Sequence, residues 1–206
     1  ASTKRFLVVS NVAVSGNSGS VQVGSFYSAT FTGSTARQVT ITPAADESAN
    51  TFVVSGTDAN GNTISESVAG ENATASTTNS YFLTVTSVTI ANAAAGALTV
   101  GMTNTASSPW VRFDDFAPSN ISIQCSVTGS ATYTVQSTLE SSYDPVSPVL
   151  ASALTWVSSS DTNVVAATTT KQSNFLFAPK LARVVLTTTS TGSVSTVFLQ
   201  SSNGPI

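Results

Sequence analysis

The stretch that decides the fold is residues 51–68, TFVVSGTDANGNTISESV. Apolar and polar side chains alternate on both sides of its centre, so that residues such as Phe52 and Ile64 share a face with their apolar neighbours. This period of two is typical of strands that bury one face. The centre, DANGN, contains the Asn-Gly pair that hairpin turns favour. The stretch therefore predicts a β-hairpin with Asn60 and Gly61 at positive φ.

Similar alternation continues through most of the chain. Short apolar–polar runs, such as Phe82–Ile90 and Ala131–Leu139, are separated by turn signals rich in Gly, Asn, Ser and Thr. Short strands at this spacing are typical of sandwiches and barrels. The exception is Pro43–Ala49, where a proline followed by two acids predicts a single helical turn. We therefore expect an all-β fold.

The chain is long enough for one large domain or two small ones. Met102–Pro109 is small and polar and ends in proline, which is typical of a linker. Both tryptophans, Trp110 and Trp156, come after it, so the two halves differ in composition. The sequence predicts two β-sandwich domains in tandem, Ig-like or jelly-roll-like, at residues 1–104 and 105–206.

Composition argues against several classes of function. The chain has no histidine, which is the commonest general base near neutral pH, and only 8% of its residues are charged. A net charge of −3 and a pI near 4.6 argue against nucleic-acid binding, which needs a clustered basic surface. No apolar run is long enough for a transmembrane helix. We therefore expect no enzyme activity, no cofactor, no nucleic-acid partner and no membrane partner.

Two acidic segments could carry chemistry, and each has a simpler structural interpretation. Asp58–Asn62 places oxygen ligands at alternate positions, as a calcium loop does, but Thr63 and Ala69 stand where an EF-hand needs Gly and Glu. We therefore favour a hairpin turn. Asp114 and Asp115 could be a glycosidase pair, but adjacent strand residues point to opposite faces. We expect a loop there, with Asp115 capping a turn.

Cations and aromatic residues are mixed late in the chain. Lys171, Lys180 and Arg183 lie near Phe175 and Phe177, a combination that could bind a polysaccharide or an acidic partner. In the simpler interpretation, the two phenylalanines fill the core and the cations lie at its rim. A shielded subunit interface is a third possibility. From these segments we predict no catalytic, cofactor-binding or metal-binding residue.

Cys125 is the only cysteine of the chain. Alternation in the surrounding ISIQCSV, residues 121–127, puts its side chain on the apolar face. Because the chain has no histidine to activate this thiol, we predict a buried structural cysteine. A lone cysteine provides no disulfide framework, which fits synthesis in a reducing compartment such as a host cytoplasm.

Serine and threonine make up a third of the chain, with 35 Ser and 32 Thr among 206 residues. Threonine-rich strand edges tend to aggregate unless charges prevent pairing between chains. A surface so poor in Lys and Glu resembles a protein interface more than the exterior of a free monomer. We therefore expect other protein subunits to cover the edges and faces of the sheets.

Residues 51–68, continued by NSYFLTVTSVTI at residues 79–90, resemble structural proteins of tailed-bacteriophage virions, especially capsid decoration (cement) proteins. The second half, with Tyr133–Thr138, Trp156 and Arg183–Thr187, is similar to companion domains of such proteins. The resemblance implies a β-rich fold, self-association, often as trimers, and attachment to a capsid lattice.

The function implied by this resemblance is that of a non-enzymatic decoration protein that stabilises a phage head by binding across capsomers. Its expected partners are the major capsid protein and further copies of itself, as a trimer. Its expected location is the virion, after synthesis in the host cytoplasm. Two alternatives stay open: a tail, neck or head-fibre component, and a carbohydrate-binding or adhesive surface protein. Exposed coplanar aromatic rings around Trp110, Tyr143 or Trp156 would favour the carbohydrate-binding alternative.

Overall fold

The computed structural model describes residues 4–11, 19–21, 29–30, 35–115, 120–189 and 192–200. Within these residues the chain forms antiparallel β-sheets and two short 3₁₀ turns, at Ala151–Ala153 and Thr162–Val164, and contains no α-helix. The expected all-β, sandwich-like fold is confirmed. A search of the same residues finds no helix with the length and hydropathy of a membrane span.

The strands are numbered in chain order: β1 (Lys4–Asn11), β2 (Gly19–Val21), β3 (Ala29–Thr30), β4 (Ala36–Pro43), β5 (Thr51–Thr57), β6 (Thr63–Ala69), β7 (Ser76–Thr77), β8 (Thr84–Ile90), β9 (Leu98–Ser107), β10 (Val111–Arg112), β11 (Ile121–Thr128), β12 (Ala131–Thr138), β13 (Val157–Ser158), β14 (Lys171–Phe175), β15 (Leu181–Thr189) and β16 (Ser193–Gln200).

The chain divides into two compact units. Unit N is Val14–Ala106, and unit C combines Ala1–Ala13 with Ser107–Ile206. The first residues group with the second half because β1 pairs along its whole length with β16. The sequence division at 104/105 assigned these residues to the first half, because local alternation carries no information about so distant a partner.

Unit N contains one sheet in the order β3-β8-β5-β6. In addition, β4 lies between β7 and β9, and β2 pairs with β9. The predicted hairpin is confirmed: β5 and β6 pair in register from Thr51 opposite Ala69 to Thr57 opposite Thr63. The core is built from the alternate, inward-facing apolar side chains, which include Val39, Ile41, Phe52, Val54, Phe82, Val85, Val88 and Leu98.

Unit C contains one sheet in the order β1-β16-β11-β14 and a second in which β12 lies between β13 and β15, with β10 also pairing with β15. Three aromatic rings meet in its core. The ring of Phe198 meets Phe113 edge-on at 5.7 Å and stacks on Phe175 at 6.3 Å. Tyr133 is fully buried, and its hydroxyl donates to the carbonyl of Thr169 at 3.1 Å.

Two connections of unit C lead from one sheet to the other. Gly129 and Ser130 join β11 to β12, and Gly192 directly precedes β16 in the connection from β15. A Cβ at Gly192 would collide with the carbonyl oxygen of Ser130 and lie 2.9 Å from the Cβ of Ala131. Only glycine fits there, because residue 192 lies directly against the turn between β11 and β12.

The predicted linker at Met102–Pro109 contains the boundary between the two units, between Ala106 and Ser107, but it is not an irregular segment. Strand β9 continues to Ser107, and the next residue, Ser108, is buried. The backbone N–H of Ser108 donates to the carbonyl of Val184 at 2.9 Å, and the Val184 N–H donates to Ser108 Oγ at 3.0 Å. Small hydroxyl residues serve strands and linkers equally, so their composition could not distinguish the two.

The predicted helical turn at Pro43–Ala49 is also wrong. β4 ends at Pro43. The chain then makes a turn at Glu47–Asn50, which is closed by a backbone hydrogen bond from the Asn50 N–H to the Glu47 carbonyl at 2.8 Å. Pro43 therefore belongs to the end of a strand, and Asp46 and Glu47 stand at the start of a β-turn rather than of a helix.

Candidate interaction surfaces

The loop of the β5–β6 hairpin is closed by its own carboxylate. Asp58 Oδ1 accepts the backbone N–H groups of Asn60 at 2.7 Å and Asn62 at 3.0 Å, and Asp58 Oδ2 accepts Asn62 Nδ2 at 3.1 Å. Gly61 has a φ of 82°, whereas Asn60 does not have the positive φ that we predicted. The loop is therefore a turn ending in a left-handed glycine, and the hairpin interpretation is confirmed.

Most acids in the described ranges hold loops together by the same means. Glu66, for example, points inward from β6 and accepts the N–H groups of Asn79 and Ser80, each at 2.7 Å. The carboxylates that accept a backbone N–H are those of Asp46, Glu47, Asp58, Glu66, Glu140, Asp144 and Asp161. The described residues contain no group of three or more His, Cys, Asp or Glu side chains placed to hold a metal ion.

Asp114 and Asp115 have separate structural roles. The backbone of Asp114 is bound to Gln200, whose Oε1 accepts its N–H at 2.9 Å and whose Nε2 donates to its carbonyl at 3.0 Å. Asp115 pairs with Lys180 at 2.9 Å and with Arg112 at 3.3 Å. The hydrogen bond from Lys180 is the main cause of a lowered pKa at Asp115. Asp115 is thus paired with two cations; the turn that we predicted it to cap would involve residues 116–119, which lie outside the described residues.

The structure separates the cations that the sequence grouped. Lys171 lies on the edge strand β14, and Lys180 belongs to the ion pairs of Asp115. The guanidinium of Arg183 lies 4.2 Å from the ring centroid of Trp156 and donates to Gln136 Oε1 at 2.9 Å. These cations therefore do not share one binding site.

The two phenylalanines near these cations differ in environment. Phe175 is buried, as predicted, but Phe177 is 41% exposed, so its assignment to the core is wrong.

The two tryptophan rings do not form the exposed, coplanar pair that would favour carbohydrate binding. Trp110 is buried, and its ring is tilted by 44° against that of Trp156. Tyr143 is partly exposed and lies under the guanidinium of Arg112, 5.6 Å from its ring centroid.

Cys125 is fully buried, as predicted. The hydroxyl of Thr196 donates to its Sγ at 3.4 Å. Burial raises the pKa of the thiol, so little thiolate forms at neutral pH. The prediction of a structural cysteine is confirmed.

The outer face of strands β5, β6 and β8 carries neutral side chains, most of them hydroxyls. In the register, Thr57 lies opposite both Thr63 and Thr84, and the next row places serines opposite one another. Thr57 Oγ1 and Thr84 Oγ1 are 2.7 Å apart, and Ser55 Oγ and Ser65 Oγ are 3.1 Å apart. We call this surface the hydroxyl face; it consists of Thr51, Val53, Ser55, Thr57, Thr63, Ser65, Ser67, Ala69, Thr84, Ser87 and Thr89.

Unit C has an outer sheet face of similar character. The outward residues of β11, β14 and β16 are amides, serines and apolar side chains, without a charge. Gln172 Nε2 donates to Gln124 Oε1 at 3.2 Å across two strands. A shallow cavity of about 330 Å³ lies on this face, lined by residues that include Ser122, Val197 and Leu199. We call this surface the amide face.

Unit C also exposes large apolar side chains on the loops that follow β12 and β14. We call this surface the apolar patch. A groove of about 330 Å³ is lined by Leu139, Val157 and Phe177, together with Ser137, Thr138, Glu140 and Thr155. The name covers the exposed large apolar side chains of these segments, of which the groove brings Leu139, Val157 and Phe177 together: Leu139, Tyr143, Val146, Leu150, Val157, Leu176 and Phe177.

Sequence reasoning missed the apolar patch, because most of these residues stand in loops without the period-two alternation that predicts burial. The available signal was YDPVSPVL at residues 143–150, where apolar residues follow two prolines and cannot join a regular strand.

No protein-family model matches this chain, and no curated protein is significantly similar to it. The resemblance to phage decoration proteins therefore stays a prediction.

Proposed function

We propose that this protein is a non-enzymatic structural subunit of a tailed-bacteriophage virion, and specifically a capsid decoration protein. The observation that carries the proposal is the hydroxyl face of unit N. Three adjacent strands present rows of Ser and Thr there without a single charged side chain. The amide face of unit C repeats this character.

The absence of charge on these faces matters because of desolvation. An exposed protein surface usually carries many charged residues of both signs, which keep the protein soluble. The buried centre of a protein interface is instead depleted in Lys, Glu and Asp. Hydroxyls lose less hydration energy than charges when they are covered, and they can form hydrogen bonds with the backbone of a partner. The two faces therefore share one property of interface centres, the lack of charged side chains.

The proposed partner of these faces is the major capsid protein of the shell. A stable interface buries about 1,200–2,000 Å² in total, or about 800 Å² on each partner. Binding across capsomers repeats the same contact over the whole lattice, so that a modest affinity at each site adds to a large stabilisation of the shell.

The arrangement of the acids supports a structural role. Glu66 and Asp58 hold loops by accepting backbone N–H groups, and Asp115 pairs with two cations. Such carboxylates stabilise the fold through charge-assisted hydrogen bonds. Each therefore has a structural task that accounts for its position.

The proposal is tested by measuring shells with and without this protein. We expect shells that carry it to survive heat or osmotic shock better than bare shells. Cosedimentation with bare shells then locates the contact. Ser65→Lys puts a charge within the hydroxyl face, midway along β6, and should weaken binding at least about tenfold. Thr168→Lys adds the same charge on an exposed loop of unit C and serves as the matched control.

Equal survival of decorated and bare shells would refute the cementing role. Equal binding by Ser65→Lys and Thr168→Lys would refute the assignment of the hydroxyl face. The copy number per particle separates the proposed role from a tail, neck or fibre component, because a lattice protein follows the number of capsomers and a tail component does not.

A further inference from the structure

The groove of unit C lies where β12 ends and where the chain leaves β14. Ser137 and Val157 are register partners in β12 and β13, and both line the groove together with Leu139. Phe177 lines it as well, and its ring centroid lies 6.0 Å from that of the buried Phe175. The groove therefore borders the aromatic core of unit C, and an apolar side chain that entered it would extend that core.

The apolar lining of the groove is open to solvent. Leu139 is 67% exposed and Val157 is 61% exposed. The volume of about 330 Å³ is at the lower end of the range for ligand pockets, so the groove suits one large side chain. Covering its walls would remove apolar surface from water, which favours an apolar occupant.

The strand beside the groove has an open edge. β13 is the last strand of its sheet, and no other strand of the described ranges pairs with it on the side away from β12. Ser158 lies opposite Gln136. The following residue, Ser159, donates its N–H to the carbonyl of Val135 at 2.9 Å. Because hydrogen-bonded pairs alternate in an antiparallel ladder, the N–H and C=O of Ser158 point away from β12, where an added strand can bind them.

Glu140 gives the groove a negative charge. Its Oε2 accepts the N–H of Thr155 at 2.6 Å, and its Oε1 accepts the hydroxyl of Thr155 at 3.4 Å. The ion pairs found in the described part of the chain do not include Glu140. A Lys or Arg of a ligand would therefore complement this carboxylate at the wall of the groove.

We propose that the groove and the open edge of β13 together bind an extended peptide segment of another protein, which carries a large apolar side chain and, two residues further on, a Lys or Arg. β12 pairs antiparallel with both of its neighbours, and the added strand continues this arrangement. Its apolar residue then lies opposite Val157 and takes the same face, which is lined by the groove. The residue two positions further on reaches Thr155 and the carboxylate of Glu140.

This inference goes beyond the proposed function, because it concerns a surface other than the hydroxyl face and needs no shell. The probe is a threonine heptapeptide, blocked at both ends, with phenylalanine at its third position and lysine at its fifth. Added to the full chain, it should shift the amide NMR signals of Leu139, Val157 and Ser158 with a Kd of about 1 mM or below. Replacing its phenylalanine by alanine, or its lysine by glutamate, should weaken binding at least about fivefold.

Two methylated peptides test the strand addition itself. A methyl group on the backbone nitrogen of the second threonine removes the donor that faces the carbonyl of Ser158, and it should weaken binding at least about tenfold. The matched control carries the methyl group on the nitrogen of the phenylalanine, which points away from β13, and should bind as the unmodified peptide does. Equal binding by the two methylated peptides would overturn the inference.

Leu139→Ser removes part of the apolar wall and should weaken binding at least about fivefold. Leu150→Ser changes an exposed leucine that does not line the groove, and it is the matched control. Both side chains are exposed, so the amide NMR spectra should remain those of the folded protein. Unchanged binding by Leu139→Ser, or an equal loss in both variants, would overturn the inference.

Glu140→Gln keeps an oxygen that can accept the Thr155 N–H and removes the charge. We expect it to bind the lysine peptide about two- to fivefold more weakly than wild type does, and no better than a peptide with glutamine in place of lysine. Glu71→Gln removes the same charge from an exposed position of unit N and should bind as wild type does. If wild type binds the lysine and glutamine peptides equally, the cation is not recognised and the inference fails.

The absence of shifts at millimolar peptide would also overturn the inference. Shifts of the same signals when the protein alone is concentrated would mean that a second copy occupies the groove, with the same consequence. Cosedimentation with bare shells is a separate measurement. Peptide binding without shell binding would leave the inference standing and remove the decoration function, and shell binding without peptide binding would do the reverse.

Discussion

Glu47 provides the sharpest test of how unit N is held together. Its side chain is 1% exposed, and its carboxylate joins two loops. Oε1 accepts the N–H groups of Ala95 at 2.6 Å and Gly96 at 3.3 Å, and Oε2 accepts Asn50 Nδ2 at 2.6 Å. Hydrogen bonds to a charged group contribute about 1.5–3 kcal/mol each, and donors left unpaired in the interior add a further cost. We expect Glu47→Ala to lower the free energy of unfolding by about 3–5 kcal/mol.

Glu47→Gln should be milder, because the network can rearrange. The amide of Asn50 can rotate so that its Oδ1 accepts the new Nε2, at the expense of the 3.0 Å bond that Asn92 now donates to that oxygen. Asn92 is exposed and can bind water instead. What remains lost is the charge assistance in these hydrogen bonds. We therefore expect Glu47→Gln to lower the free energy of unfolding by about 1–2 kcal/mol.

The assay for both variants is urea unfolding followed by far-ultraviolet circular dichroism. Tryptophan fluorescence is unsuitable, because Trp110 and Trp156 both belong to unit C. Glu71→Ala, at an exposed acid of the same unit, is the control and should change stability by less than about 0.5 kcal/mol. The reasoning fails if Glu47→Ala unfolds within about 1 kcal/mol of wild type, or if it is no worse than Glu47→Gln.

Three further predictions concern unit C. Phe198→Ala removes a fully buried ring and should cost about 3–5 kcal/mol in urea unfolding followed by tryptophan fluorescence; a loss below about 1 kcal/mol would contradict the described packing. Cys125 should react with a thiol reagent only after denaturation, because burial raises its pKa; rapid labelling of the native protein would disprove this. The lowered pKa of Asp115 contributes stability above its unfolded pKa of about 3.9, which is lost as the pH falls. The free energy of unfolding of wild type should therefore exceed that of Asp115→Asn by at most about 1 kcal/mol at pH 7. A difference that persists at low pH would be inconsistent with a contribution from the ion pairs.

Local pattern was sufficient for the parts of the fold that depend on neighbouring residues. Alternation around residues 51–68 predicted the β5–β6 hairpin, and the same rule predicted the burial of Cys125. In each case the period of two decides which face a side chain takes, and no distant partner has to be known.

The pattern was insufficient where the partner is distant or the composition is ambiguous. The turn at Gly129 has the residue types of any tight turn. They do not reveal whether β12 pairs with β11 as a hairpin or, as in the structure, enters the other sheet. The Ser/Thr run that continues β9 to Ser107 suits a linker as well as a strand. The exposure of Phe177 depends on how the segment after β14 leaves the sheet, which alternation does not encode.

Electron microscopy of the assembled phage particle is the most direct test of the central claim. The account predicts density for this chain over the head surface, with a copy number that follows the capsomers and with the hydroxyl face of unit N covered by the major capsid protein. Density confined to the tail or neck, or a hydroxyl face left open to solvent on the shell, would contradict it.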